Sequence, residues 1–120
     1  MIYLVSNQTE LFDNSHYQNI SPDTAINMLK SIPEIDGKRI IAADTETAGL
    51  NFLQKDILTI QLGTGDFQIV WDCITVDILL LKEILEDENI ITIWWNSLFD
   101  LLFLYKNNIF PRNIYDGMLA

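Results

Sequence analysis

The sequence predicts an α/β fold: a mixed sheet of about five strands, an antiparallel meander followed by parallel strands, with helices on both faces. Three observations predict it. Apolar runs of strand length recur along the 120 residues, amphipathic stretches of helical length separate the later ones, and short turn sequences join them. A meander that gives way to alternating helices and strands needs a sheet paired partly antiparallel and partly parallel, with helices supplying the crossovers. The composition, 49% hydrophobic, suffices for one core, and no repeat or polar linker divides the chain, so residues 1–120 read as a single domain.

The elements follow in order. "IYLVS" (2–6) is a short strand. "SPDTAINMLKSI" (21–32) opens with an N-cap serine, proline at the first helical position and an aspartate in the first turn, and places Ala25, Ile26 and Leu29 on one inner face. "KRIIAADTET" (38–47) is a strand, after which Gly49 lets the chain turn. "DILTIQLG" (56–63) and "FQIVWDC" (67–73) are strands joined by the tight "GTGD" turn. "TVDILLLKEILEDEN" (75–89) reads as an amphipathic helix with Leu80, Leu81, Ile84 and Leu85 inward. "NIITIWW" (89–95) returns to strand and "SLFDLLFLYKNN" (97–108) to helix; "NIYDGMLA" (113–120) is a last strand leading into a helix, where Asp116 reads as an N-cap.

Composition narrows the function. Seven basic against seventeen acidic residues give a net charge of -10, which excludes a protein that holds nucleic acid by a basic surface alone; a phosphate ligand would need divalent cations beside the carboxylates. No apolar run reaches the roughly 18 residues of a membrane span, and no secretory leader is evident, so the chain reads as soluble, cytoplasmic and without a membrane partner. The single cysteine, Cys73, fits a reducing compartment as a small buried thiol.

The chemistry concentrates in acids set among apolar residues. In extended backbone Asp44 and Glu46 project to one face as neighbours of like charge at the end of the most apolar run. Asp100 lies on a helix among Phe99, Phe103 and Leu104, which pack inward, so its carboxylate approaches the core. A buried carboxylate is costly unless a metal or cation compensates it, and three such acids from one strand and one helix make a hard-oxygen site suited to Mg2+ or Mn2+. The only histidine, His16, sits in the polar stretch "DNSHYQN" and reads as a surface residue, while Phe67 and Trp71 alternate on a strand and read as core.

"AADTETAGLN", with its Asp-x-Glu core, resembles the first motif of the DnaQ-like 3'-5' exonucleases that use four acidic residues, in the form found as the proofreading domain of family-A DNA polymerases of phage, prophage or bacteria. "WNSLFDLLFLY" resembles that family's second motif, Asn-x-x-Phe/Tyr-Asp, and "PRNIYDGMLA" the segment after it; the likeness spans roughly residues 20 to 120. It implies a ribonuclease H-like fold and hydrolysis of the 3'-terminal phosphodiester of single-stranded DNA with two divalent ions. By motif position Asp44 would bridge the ions, Glu46 would bind the ion on the nucleophile's side and Asp100 would support the other. Leu50 would wedge against the terminal bases, while Asn96 and the backbone around Thr45 and Thr47 would hold the terminal nucleotide.

Two departures follow. The family's third motif, Tyr-x-x-x-Asp, which supplies the fourth acidic ligand, is absent from these residues, so the chain reads as an exonuclease domain truncated before that motif, weak or inactive alone, with a polymerase domain downstream in its parent. The helix after Asn96 also carries Leu98, Leu102 and Tyr105 on a second apolar face, with Trp94 just before it; these four make a candidate interface for a homo-oligomer. A non-catalytic, self-associating module that keeps only the exonuclease fold is the alternative function.

Overall fold

The computed structural model describes residues 1–8, 16–49, 51, 53, 56–95 and 97–118. Its strands are β1 (Ile2–Val5), β2 (Tyr17–Asn19), β3 (Arg39–Thr47), β4 (Ile57–Gly63), β5 (Gln68–Asp72), β6 (Ile90–Trp94) and β7 (Asn113–Asp116), and its helices α1 (Pro22–Lys30), α2 (Lys82–Leu85) and α3 (Ser97–Lys106). A 3-10 turn, Ile78–Leu81, runs directly into α2.

Among the described residues the strands form one sheet in the order β2-β1-β5-β4-β3-β6-β7. The expected meander is β3-β4-β5, antiparallel throughout, and β6 and β7 then add in parallel on the far side of β3. β1 lies parallel to β5 at the other flank. The sheet has seven strands where the sequence predicts about five. The edge strand β2 is short and polar, held by backbone pairing to β1, so no apolar run announces it.

Helix α1 begins as its sequence requires: the Ser21 hydroxyl accepts from Thr24 N at 3.1 Å, Pro22 occupies the first turn, and Ala25, Ile26 and Leu29 are buried. The stretch 75–89 departs from expectation. It is helical only over 78–85 and starts as a 3-10 turn, whose period of three sets Ile78, Leu81 and Ile84 inward and leaves Leu80 45% exposed, so Leu80 is not an inner-face residue. Within the "GTGD" turn, Thr64 N donates to Phe67 O at 2.9 Å, and a side chain on Gly63 would collide with that same carbonyl oxygen.

The core is one cluster. Residues of α1, α2, α3 and the 3-10 turn meet Ile41 and Ala43 of β3, Ile60 and Leu62 of β4, and Ile69 and Trp71 of β5. On the reverse face of β3, Ile40, Ala42, Asp44 and Glu46 are all exposed. The described helices therefore share one face of the central strand, and the expectation of helices on both faces is not met there: inward parity at Ile41 and Ala43 leaves the other residues open. No helix of the described residues is long and apolar enough to cross a membrane.

Candidate active site

Strand parity decides where the acids go. Along β3 the side chains alternate, so Asp44 and Glu46 emerge together on the open face, as the spacing predicts, while Thr45 points to the core side. Asp44 Oδ1 accepts from the backbone N–H of Thr45 at 2.9 Å, which fixes its rotamer. The Thr45 hydroxyl in turn donates to Asp100 Oδ1.

Asp100 sits in the first turn of α3 and is only 3% exposed. That turn is anchored from another element: Asp116, last residue of β7, accepts from Ser97 N at 2.6 Å and from Ser97 Oγ at 2.7 Å. Asp116 is thus a cap, as its sequence reading holds, although the helix it caps is α3 and not one that follows it. It also accepts from Met118 N at 2.9 Å.

These neighbours set the electrostatics of Asp100. Burial pushes its carboxyl up to about 6, against the Thr45 hydroxyl, which lowers it, and the like charges of Asp44 and Asp116 add to the rise. Most described cations are engaged elsewhere: Lys30 with Glu83, Arg39 with Glu34, Lys82 with Glu86, Lys106 with Asp56 and Arg112 with Glu88. Among the described residues no lysine or arginine pairs with Asp44, Glu46 or Asp100.

The structure therefore brings Asp44 and Asp100 within electrostatic reach and adds Asp116, while Glu46 stands on the exposed end of β3. Among the described residues no three His, Cys, Asp or Glu side chains are gathered closely enough to hold a metal ion. In donor chemistry the set nevertheless fits a divalent cation: the oxygens are hard, Asp100 is buried without a cationic partner among the described residues, and Asp44 and Glu46 are exposed. Beside Asp44 the open face carries a shallow concavity of about 190 Å³ lined by Ala42, Gln61, Gly63 and Gln68. A larger apolar cleft lies at the start of β3 among Met28, Ile32, Ile40 and Phe67, away from the acids.

The other predicted residues divide. Leu50 and Asn96 lie outside the described residues. The Thr47 hydroxyl donates to Gly49 O at 2.7 Å and closes the turn after β3. Of the candidate interface, Leu98 and Tyr105 are exposed and Leu102 is half-buried. Trp94 is 1% exposed and donates from Nε1 to Thr92 Oγ1 at 2.7 Å, so it belongs to the core and not to an interface. Trp95, absent from the sequence-based site, is the exposed tryptophan of the pair. Parity would have found it, because Ile90, Thr92 and Trp94 share the inward face of β6.

A family model described as 3'-5' exonuclease matches residues 17–120. Brucella melitensis NrnC, solved with bound Mg2+, is similar over 71% of this chain at 26% identity and a TM-score of 0.59. The catalytic core of RRP6 from Trypanosoma brucei is similar over 97% at 18% identity with a TM-score of 0.72. Escherichia coli RNase D, described as an exoribonuclease involved in structured RNA processing, is similar over 94% at 20% identity with a TM-score of 0.66. The chain spans 45%, 29% and 26% of those three chains respectively. No curated protein matches it.

Proposed function

The chain belongs to the 3'-5' exonuclease family, and from that premise we propose that it removes nucleotides from the 3' end of a single strand by hydrolysing the terminal phosphodiester with divalent ions, Mg2+ or Mn2+, two in number. The observation that carries the reading is Asp100: a carboxylate buried beside Asp44, tied to Thr45, and without a cationic partner among the described residues. Such a group is stabilised by a cation that arrives with the substrate. A solved neighbour that holds Mg2+ supports the choice of ion.

Asp44, Glu46 and Asp100 are the residues that would hold the ions. When bound, the ions supply positive charge to an attacking water and to the departing oxygen. The chain's own contribution is preorganisation: the backbone N–H of Thr45 orients Asp44, the Thr45 hydroxyl orients Asp100, and Asp116 fixes the start of α3. The terminal nucleotide would lie in the concavity beside Asp44, against the backbone of Thr45 and Thr47. DNA is the polymer proposed, beside a polymerase, on the likeness of the two motifs to proofreading domains.

Slow turnover is part of the proposal. No further acid among the described residues is placed to orient the attacking water, and misplacing a reacting group by 1 Å can already cost about a hundredfold. A 5'-labelled single strand of DNA, and an RNA of the same sequence, incubated with excess protein and Mn2+ for hours tests the reading. The expected product is a ladder of DNA shortened one nucleotide at a time from the 3' end and lost in Asp44→Ala. No shortening, or shortening that survives Asp44→Ala, contradicts it.

A further inference from the structure

The molecule carries three tryptophans, and two of them, Trp71 and Trp94, are buried. Trp95 is 71% exposed. Its position is set by the neighbouring strand β7. Ala42 pairs with Ile93 in the parallel ladder of β3 and β6, and Trp95 directly follows the last residue of β6. On its other flank Trp94 pairs with Asp116, which sets Trp95 level with Gly117. The contact is tight: a methyl group on Gly117 would lie 3.1 Å from Trp95 Cε3, and Gly117 N donates to Trp94 O at 2.8 Å. The indole is thus held against backbone on one side and open to solvent over most of its surface.

We propose that Trp95 is the stacking platform for a base near the 3' end of the single strand, a substrate-binding residue of the site described above; the inference rests on that reading of the site. Three features point to a nucleobase. The ring packs against Gly117, next in sequence to Asp116, which caps the helix turn that carries Asp100. The net charge is -10 and the described ion pairs neutralise most cations, so affinity for a strand has to come from ions and from neutral, planar contacts. Stacking on an aromatic supplies that contact without regard to sequence. A second copy docked on the same ring would instead bring together two chains of net charge -10, each with Asp116 next to the ring's contact at Gly117.

Fluorescence of the whole chain tests this, because the red edge of the emission belongs to the exposed Trp95. Short deoxyoligonucleotides are titrated in Mg2+, with their length checked after each titration. The expected result is saturable quenching at the red edge, with binding about tenfold weaker when the last bases are replaced by abasic sites, the size expected for one lost stacking contact. By the anisotropy of an end-labelled strand, Trp95→Leu should bind the intact strand about tenfold more weakly and no longer distinguish it from the abasic one, and Trp95→Phe should restore part of the difference. Unchanged affinity in Trp95→Leu, or an abasic penalty that persists in it, overturns the proposal. So does a concentration-dependent rise in sedimentation coefficient without nucleic acid that Trp95→Leu abolishes, which would make a second copy the occupant. The two readings fail separately: quenching without any shortening keeps the platform and sinks the hydrolysis, whereas shortening that Trp95→Leu binds and performs as well as the original chain does the reverse.

Discussion

Two buried aspartates behave in opposite ways, and their neighbours explain it. Burial pushes Asp72 up, but the hydroxyls of Ser6 and Thr75, both donating at 2.7 Å, and the backbone N–H groups of Ile74 and Thr75 outweigh it and leave the carboxyl below its ordinary range. Asp100 has the Thr45 hydroxyl against burial and two like charges, and stands at about 6. A carboxyl raised on folding favours the folded state fully below its unfolded value near 4 and loses that contribution as pH rises through 6. Asp100 should therefore cost the metal-free protein on the order of 2–3 kcal/mol at neutral pH. In EDTA, Asp100→Asn should raise the unfolding midpoint at pH 7 and leave it nearly unchanged at pH 4. A lower midpoint at pH 7 would show that the charge is compensated within the chain. Stability given up at one residue for a ligand is the pattern of a functional site.

At the scale of elements, the junction of β7 with α3 matters most. Asp116 satisfies donors at the start of the helix that carries Asp100, so Asp116→Ala should lower stability in urea by about 1–2 kcal/mol, and Asp116→Asn by much less. Equal losses would mean that charge, and not the hydrogen bonds, holds the turn. The elements themselves were legible where one physical signal dominates. The Ser-Pro-Asp start of α1 and the parity of β3 translate directly into the structure, and so does the inward Asp100. The misses share a cause: each needs knowledge of a neighbouring element. The polar strand β2 exists because β1 offers an edge, and Leu80 turns outward because the helix begins with a 3-10 turn. The Asp116–Ser97 cap joins residues that only the β6–β7 pairing brings together. Trp94 and Trp95 differ by parity alone, which a whole run read as apolar conceals.

On the scale of the molecule, a seven-stranded sheet gathers its helices on one side of the central strand and leaves an acidic, partly apolar face on the other. With a net charge of -10 and most described cations already paired, the chain is built to attract cations and has little means of holding phosphate without them. Charge alone would bind Mn2+ loosely at any acidic stretch, including Glu86 to Glu88. The proposed function requires more: carboxylates from β3 and α3, distant in sequence, would have to act on the same ion. Calorimetric titration of Mn2+ into the chain and its variants decides this most directly. Saturable binding that is lost in Asp44→Asn and equally in Asp100→Asn, yet unaffected by Glu88→Gln, is the predicted result. Binding that is undiminished in Asp100→Asn would contradict it, because the buried carboxylate would then play no part in holding the ion.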